Sequence, residues 1–208
     1  MNCILCKGAT KKFWKSKNRE FVECTNCGGI QLLSQFYISK KAEEARYLTH
    51  NNDVDDPKYQ DFVKPITSRI LKDFSTEHSG LDYGCGTGPV ISIQLEKEGY
   101  KTVLYDPYFH PQTSVLTNKY NFIICCEVME HFYKPQQEFR TLASLLKPGG
   151  KLYCKTSLYS EKIDFDNWYY KNDVTHVFFY TEKSLIWIKD NLDFSALEIH
   201  PNRIIFSK

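Results

Sequence analysis

The sequence predicts an α/β protein with a doubly wound, mostly parallel sheet and a small N-terminal zinc ribbon. Strand and helix patterns alternate from residue 79 onward, a glycine-rich loop follows the first of these strands, and two Cys-x-x-Cys pairs stand near the N-terminus. Such alternation is typical of a parallel sheet with helices on both faces. The composition, 42% hydrophobic and 25% charged, is that of a folded chain and excludes a disordered one.

The two cysteine pairs have a metal-ligand spacing. Cys3 and Cys6 form the first pair, Cys24 and Cys27 the second, and seventeen residues separate them. Two intervening residues allow each pair to aim both thiolates at one ion, as in zinc ribbons. Disulfides and redox-active dithiols are the alternatives, but the aromatic and β-branched hairpin pattern between the pairs favours a metal. We predict a structural zinc ribbon over residues 1–37, with no open position for catalysis.

The N-terminal segment is also basic. Residues 1–19 carry six lysine or arginine side chains and no acid, although the net charge of the chain is only +2. Such a segment suits either contact with phosphate groups or an ordinary solvated face.

Other features indicate a cytoplasmic protein with no membrane partner. No run approaches the eighteen or so apolar residues that span a bilayer, and the N-terminus shows no apolar core of a signal peptide. The other four cysteines, Cys85, Cys125, Cys126 and Cys154, lie in or beside predicted buried strands. We expect them to be small core residues in a reducing compartment.

Residues 38–78 are predicted as a helical linker that also serves as a cofactor lid. A helix is predicted over 40–47, a turn follows at 50–57, and a second helix spans 59–74. Pro65 falls inside the second helix, where we expect a kink or a restart.

Residues 79–208 form the predicted sheet domain. Its strands are short apolar runs, and its helices are amphipathic segments between turn residues. The predicted strands are 80–83, 101–105, 121–126, 151–156, 196–200 and 203–207, and the predicted helices are 89–97, 136–146 and 181–191. The last two strands are predicted to pair as an antiparallel edge hairpin.

The loop after the first of these strands has the properties of a nucleotide site. Gly84, Gly86 and Gly88 stand at the carboxyl edge of the sheet, where ligands bind, and glycines let the backbone approach a ligand closely. Asp106 ends the next strand and suits an acid that binds ribose hydroxyls. A dinucleotide site would show G-x-G-x-x-G, but the third glycine comes one residue early and Pro89 takes its place.

These residues resemble a known family. The segment Leu81-Asp-Tyr-Gly-Cys-Gly-Thr-Gly88 is similar to the first motif of class I S-adenosylmethionine-dependent methyltransferases. Asp106 stands where the family has its ribose-binding acid, and Cys126-Glu-Val-Met-Glu-His131 resembles the segment after its fourth strand. Bacterial methyltransferase-domain proteins share the His50-Asn51-Asn52 patch. The resemblance covers roughly residues 45–208.

The resemblance implies a Rossmann-like methyltransferase fold, S-adenosylmethionine as cofactor, and methyl transfer to an unidentified acceptor. A small molecule such as a phenol or sugar, RNA and a protein side chain all stay open as the acceptor, with a small molecule or RNA expected, and a hydroxyl is one candidate for the acceptor group. The residues implied to contact the cofactor are Asp82, Tyr83, Gly84, Cys85, Gly86, Gly88, Asp106, Pro107, Cys126 and Glu127.

One departure from the family lies after Asp106. Only fourteen residues separate it from the strand that begins at Asn121, whereas the family places a helix and a third strand there. We predict that the third strand is missing or vestigial, and we assign no adenine-binding acid. Tyr108 and Phe109 are candidates for an apolar wall instead.

Catalytic candidates follow the fourth family strand. Glu127, Glu130 and His131 have i, i+3, i+4 spacing, which places them on one face of a helical turn, and His176 should return to the same rim. In one interpretation Glu127 contacts the cofactor while Glu130 and His131 brace the turn. In the other, all four bind a divalent ion that activates a hydroxyl. The second arrangement resembles metal-dependent 2′-O-methyltransferases of small-RNA 3′ ends and ubiquinone-pathway O-methyltransferases. Under either interpretation, the candidate catalytic residues are Glu130, His131 and His176.

Two other functions stay open at this point. One is a nucleic-acid or protein-binding module that uses a methyltransferase fold without catalysis, and the other is an NAD-dependent oxidoreductase. The intact glycines of the loop and Asp106 argue against the first. The aromatic run over residues 165–180 suits either core packing or a wall for a flat acceptor.

Overall fold

The computed structural model describes residues 1–50 and 53–208, so Asn51 and Asn52 of the His50-Asn51-Asn52 patch lie outside the described residues. The strands are β1 (Thr10–Lys15), β2 (Glu20–Cys24), β3 (Ile30–Leu32), β4 (Ser79–Tyr83), β5 (Lys101–Tyr105), β6 (Tyr120–Cys126), β7 (Leu146–Lys155), β8 (Phe178–Phe179), β9 (Ala196–His200) and β10 (Arg203–Ser207). The helices are α1 (Lys40–Tyr47), α2 (Pro57–Asp73), α3 (Val90–Lys97), α4 (Pro135–Leu145) and α5 (Glu182–Asn191).

The main sheet has six strands in the order β5-β4-β6-β7-β10-β9. The first four are parallel, and β10 pairs antiparallel with both β7 and β9. Fully buried apolar side chains such as Leu81, Ile123 and Leu152 form the core of its central strands. The predicted doubly wound sheet with an antiparallel edge hairpin is confirmed.

The predicted loss of the third family strand is also confirmed. Between β5 and β6, the described chain forms an isolated bridge of Asp106 with His110 and a short 3-10 helix at Thr113–Thr117. β5 is therefore an edge strand of the main sheet. The loop that follows it lies at the carboxyl ends of the parallel strands.

Of the kink or restart predicted at Pro65, the restart does not occur, because α2 runs through this residue as one helix. Val63, Ile66 and Ile70 are fully buried on both sides of the proline, and they pack with α3 and the sheet. This burial keeps the two halves in one helix although the proline supplies no backbone donor. At the start of α2, the Asp56 side chain accepts from the Lys58 N–H at 2.8 Å.

The ribbon and the main body are joined by a second sheet. Strands β1, β2 and β3 continue into β8, which belongs to the body, with Ile30 opposite Phe179 and Gln31 opposite Phe178. Much of the aromatic run packs between ribbon and body, where Phe165 and Trp168 meet ribbon side chains such as Phe21. The domain boundaries at residues 37 and 78 stay predictions, but the ribbon is not a loosely tethered module.

A search of the described residues finds no helix with the length and apolar character needed to cross a membrane.

We expect Gly80→Ala to lower the free energy of unfolding by about 1–3 kcal/mol, the usual cost of overpacking a core. Gly80 lies in β4, and a Cβ there would overlap the ring of Phe122, which is fully buried and has no room to move. Urea denaturation measures the change. Ser79→Ala on the same strand is the matched control and should stay within about 0.5 kcal/mol of the wild type. Equal stability of the two variants would show that β4 does not pack as described.

Candidate active site and metal centres

A cavity of about 1370 Å³ opens at the carboxyl ends of the parallel strands. It is bounded by α1, by the loops after β4, β5 and β6, and by residues 169–176. Most of the predicted cofactor contacts line it, namely Tyr83, Gly84, Cys85, Gly86, Asp106, Pro107, Cys126 and Glu127. Asp82 and Gly88 are not among the lining residues. The volume exceeds that of a typical single-ligand site, so there is room for a cofactor and an acceptor together.

The glycine loop has a backbone that only glycine adopts readily. Gly84 and Gly86 have φ angles of +80° and +63°, and a Cβ on Gly84 would lie 2.6 Å from the Val128 side chain. The Gly84 N–H donates to the Tyr105 carbonyl at 2.8 Å, which ties the loop to the end of β5. The loop is thereby held open toward the cavity.

Asp106 is fixed by three backbone donors. Its Oδ2 accepts from the Gly86 N–H at 3.1 Å, and its Oδ1 accepts from Tyr108 and Phe109 at 2.8 and 3.1 Å. The residue is 7% exposed and lines the cavity. Oδ1 is thereby saturated, whereas Oδ2 keeps one lone pair and can still accept from a ligand hydroxyl. Its assignment to ribose stays a prediction, as do the other cofactor contacts.

Asp82 lies beneath the loop. The Ser92 hydroxyl donates to its Oδ2 at 2.7 Å, and burial raises the pKa of this carboxyl to about 6. Asp82 therefore fastens the loop to α3 rather than facing the cavity.

Glu130, His131 and His176 form a compact group of metal-type ligands. One ligand atom from each lies within 4.8 Å of the others. The Nε2 atoms of His131 and His176 are 3.9 and 4.0 Å from Glu130 Oε1. The sequence-based expectation that His176 returns to this rim agrees with this placement.

The backbone sets the tautomer of both imidazoles. His131 Nδ1 lies 3.2 Å from the Thr175 carbonyl, and His176 Nδ1 lies 2.8 Å from the Tyr170 carbonyl. A carbonyl accepts only, so Nδ1 carries the proton and Nε2 offers its lone pair toward Glu130. Burial lowers the pKa of both rings, that of His176 to about 3, so both are neutral at physiological pH.

Tyr170 links the two carboxylates of the site. Its hydroxyl donates to Glu130 Oε1 and lies 3.1 Å from Glu127 Oε2. Burial raises the pKa of Glu130 to about 7, and burial together with the charge of Glu130 raises that of Glu127 to about 8. Within the described part of the chain, Glu130 Oε2 is buried without a hydrogen-bond partner. A buried carboxylate oxygen usually has a hydrogen-bond partner or an ion beside it, so Oε2 can accept one.

Glu127 stands beside the three-residue group rather than in it. It has a left-handed backbone with φ of +54°, and the 3-10 turn Met129–His131 begins after it. The predicted single helical face for Glu127, Glu130 and His131 therefore does not form, and Tyr170 makes the connection instead. Tyr170 lies in the predicted aromatic run, but no local pattern marked it as the link.

The four N-terminal cysteines form a second metal-type group. Cys3 and Cys27 sulfurs are 3.7 Å apart, those of Cys6 and Cys24 are 3.3 Å apart, and all four lie within 4.8 Å of one another. Tetrahedral zinc with Zn–S bonds of about 2.3 Å has sulfurs about 3.8 Å apart, so the set fits zinc. The Cys27 thiol donates to Cys3 and lowers the pKa of Cys3 to about 5.

Glu43 is a site residue that sequence reasoning missed. This buried carboxylate of α1 accepts from the hydroxyls of Tyr47, Tyr108 and Tyr133 at 2.8, 2.7 and 3.2 Å. It binds α1 to the body across the cavity. The sequence does not mark it as a site residue, because two of its three partners, Tyr108 and Tyr133, are distant along the chain.

Comparison with known proteins identifies relatives. A family model described as a methyltransferase domain matches residues 56–199. The ubiquinone biosynthesis O-methyltransferase of Histophilus somni is 26% identical, and the match covers 39% of this chain and 45% of that protein. The protein of the same name from Citrobacter koseri is 28% identical, with 36% and 41% covered. The chain thus spans less than half the length of these curated relatives.

Solved structures share the fold at low sequence identity. One is the 1,6-didemethyltoxoflavin-N1-methyltransferase of Burkholderia thailandensis with bound 1,6-didemethyltoxoflavin and S-adenosylhomocysteine. Its TM-score is 0.56 at 11% identity, covering 95% of this chain and 99% of that one. An O-methyltransferase family protein from the same organism has a TM-score of 0.53 at 10% identity, covering 79% and 61%.

We expect Asp82→Asn to remove a pH dependence of stability. The pKa of Asp82 is raised in the folded chain, which therefore holds a proton that the unfolded chain has released between about pH 4 and 6. This group makes the wild-type free energy of unfolding fall as the pH rises through that window. The free energy of unfolding of the variant minus that of the wild type should therefore increase by about 2–3 kcal/mol between pH 4 and pH 7.

Urea denaturation at unit pH steps measures this difference. Asp61→Asn, at an exposed position of α2, is the control and should give a flat difference. A flat difference for Asp82→Asn as well would mean that this carboxyl is ionised and hydrated in the folded chain.

Proposed function

The chain belongs to the family of methyltransferase domains, and we propose that it transfers a methyl group from S-adenosylmethionine to a hydroxyl with help from a divalent metal ion. One observation carries the proposal. The lone pairs of two neutral imidazoles, His131 and His176, face the buried carboxylate of Glu130, whose Oε2 has no partner among the described residues.

The cofactor site is built from the glycine loop and Asp106. Bound S-adenosylmethionine supplies a methyl group on a positively charged sulfur, which a nucleophile in line with it can take. Gly84 and Gly86 allow the ligand to approach the backbone, and Asp106 Oδ2 has one lone pair left for a ribose hydroxyl. Tyr108 and Phe109 line the same end of the cavity and offer apolar surface.

The ligand set at the other end fits a borderline divalent ion. A site with two imidazole nitrogens and one carboxylate favours Mn²⁺, Fe²⁺ or Co²⁺ over an ion that prefers oxygen ligands only. Such an ion lowers the pKa of a hydroxyl next to it and so makes the acceptor a better nucleophile. The Thr175 and Tyr170 carbonyls hold the two rings in the ligating tautomer.

Glu127 is suited to take the acceptor's proton. Its pKa of about 8 lies near neutral pH, where a general base works best, and it lines the cavity. Tyr170 orients this carboxylate through the 3.1 Å contact between its hydroxyl and Oε2. Glu130, His131 and His176 then hold the ion while Glu127 moves the proton.

The proposed acceptor is a small molecule with a flat ring. Beside the ligand group the cavity wall is aromatic: Tyr47 packs edge-on to His131 at 5.4 Å, and Tyr170 packs on His176 at 4.2 Å. Tyr169 is exposed at the same cavity. Aromatic walls favour flat rings. The curated relatives are named as O-methyltransferases, which supports a hydroxyl acceptor, and family membership does not favour an oxidoreductase or a non-catalytic module.

The four ribbon cysteines are proposed to hold a structural zinc ion. Backbone N–H groups of Cys6, Gly8 and Cys27 point at the sulfurs of Cys3, Cys6 and Cys24 at 3.4–3.5 Å, which stabilises thiolates. All eight cysteines are free thiols, in keeping with the proposed cytoplasmic location.

We expect the protein to bind one Mn²⁺ in addition to its zinc, and Glu130→Gln to weaken that binding at least tenfold. The amide has no negative charge and is a poor ligand. Because Glu130 must lose a proton whose pKa is about 7, while both imidazoles are already neutral, the affinity should fall up to tenfold per pH unit below pH 7. Free Mn²⁺ is measured by electron paramagnetic resonance, and zinc by elemental analysis.

Glu138→Gln, at another cavity carboxylate that accepts from Tyr83, is the matched control and should bind Mn²⁺ as the wild type does. The same preparations should convert S-adenosylmethionine to S-adenosylhomocysteine with a pool of small phenols, and only when Mn²⁺ is present. No second metal in the wild type, or turnover with short RNA alone, would contradict the proposal.

We expect Asp106→Ala to weaken binding of S-adenosylhomocysteine by about 1.5–3 kcal/mol, the scale of a lost hydrogen bond to a charged group. Calorimetry measures it, and Glu96→Ala on the exposed side of α3 is the control. Wild-type affinity in the Asp106 variant would remove this residue from the cofactor site.

A further inference from the structure

The ribbon contacts the polypeptide that carries His176 at the level of the backbone. Beyond the β3–β8 pairing, the Leu32 N–H donates to the Val177 carbonyl at 2.9 Å. The Val177 N–H in turn donates to the Glu130 carbonyl, also at 2.9 Å. A single residue next to His176 therefore connects the third ribbon strand to the carboxylate-bearing turn.

Arg19 makes a second contact from the turn between β1 and β2. Its guanidinium donates to the carbonyl of Lys171 and, at 2.9 Å, to the carbonyl of His176. These two carbonyls stand at the two ends of the loop 171–176. A planar guanidinium with fixed donor directions sets the distance between them, which a flexible ammonium does not. Its charge strengthens both bonds.

The loop 171–176 has little regular structure of its own. Most of its internal bonds involve Asp173, whose Oδ1 accepts from the Thr175 N–H at 3.0 Å and whose carbonyl accepts from the His176 N–H at 3.3 Å. The guanidinium of Arg46 in α1 donates to the second carboxylate oxygen of Asp173, Oδ2, at 2.7 Å. Lys171 and His176 at the two ends of the loop are buried, so their carbonyls need partners within the protein, and Arg19 supplies both. The position of the His176 ring thus depends on a side chain of the ribbon.

We infer that the ribbon is a positioning element of the active site, and that Arg19 is the residue through which it places His176 opposite Glu130. The inference rests on the proposed metal-assisted function. Strand β2 leads directly from Arg19 to the zinc ligand Cys24, so the fold that zinc stabilises holds the guanidinium in place. Zinc in the ribbon and the second ion in the cavity are therefore coupled, each favouring the other's binding.

The test compares Arg19→Gln with Lys17→Gln, an exposed basic residue of the same turn, in the full chain. Arg19→Gln should keep one zinc and wild-type affinity for S-adenosylhomocysteine, because the glycine loop lies elsewhere in the cavity. Its affinity for Mn²⁺ should fall at least tenfold, Arg19→Lys should recover part of the loss, and Lys17→Gln should match the wild type. Equal Mn²⁺ affinity of Arg19→Gln and wild type would overturn the inference.

A measurement that does not need the second metal distinguishes a failure of this inference from a failure of the proposed function. Long-range ¹H–¹⁵N spectra report which nitrogen of His176 carries the proton. The wild type should show the Nδ1–H form, which the Tyr170 carbonyl selects, and Arg19→Gln should show a mixture of both forms. If the wild type binds no Mn²⁺, the proposed function fails, and the mixture still supports the positioning role. An unchanged His176 spectrum in Arg19→Gln sinks that role whatever the metal result.

Cys24→Ser provides the zinc arm of the test. A variant that has lost zinc but still binds S-adenosylhomocysteine has a folded body. In it the Mn²⁺ affinity should fall as in Arg19→Gln, and retained Mn²⁺ affinity would disprove the coupling.

Discussion

The burial of the Glu130 carboxylate is the constraint on which the rest of the site depends. This side chain is fully buried, and removing an ionised carboxylate from water costs several kcal/mol unless it is paired. Among the described residues the Tyr170 hydroxyl donates to its Oε1 and its Oε2 has no partner, while both neighbouring imidazoles present lone pairs instead of protons. Without a cation the carboxyl holds a proton near neutral pH, as its raised pKa shows. The arrangement is costly for a purely structural role and well matched to a cation.

Each element around Glu130 can be understood as a means of keeping this group in place. A 3-10 turn that carries Glu130 and His131 follows strand β6. The chain after β7 returns to this turn and places His176 opposite Glu130. Helix α1 closes the cavity from above through Glu43 and the three tyrosine hydroxyls. Because α1 comes before the parallel strands in sequence and the 169–176 segment after them, the cavity walls are complete only when distant parts of the chain have come together.

Features with a local sequence signal were predictable, and features made by distant contacts were not. The strand and helix order, the missing third strand and the clustering of the four N-terminal cysteines all follow from periodicity, loop length and spacing. The convergence of Glu130, His131 and His176 was also predictable, because they follow adjacent parallel strands. The relation of Glu127 to the others was not, since its positive φ breaks the helical turn that the spacing suggested. The clamp at Glu43 and the contact of Arg19 with the His176 carbonyl join residues 65 and 157 positions apart, and no local pattern encodes them.

The ribbon and the main body are connected by more than a linker. A zinc ribbon that served only as a docking module would need just a short linker, yet here it shares a sheet and an aromatic cluster with the body. The shared strand, Phe178–Phe179, begins two residues after His176. A shift of the ribbon sheet would therefore also displace His176. Irregular loops hold catalytic side chains precisely only when rigid elements support them on both sides. Here the main sheet supports the loop through Glu130 and Val177, and the ribbon supports it through Leu32 and Arg19. If the four cysteines hold zinc as proposed, the metal would supply folding free energy that a core of so few residues cannot provide, and the ribbon could then serve as this second support.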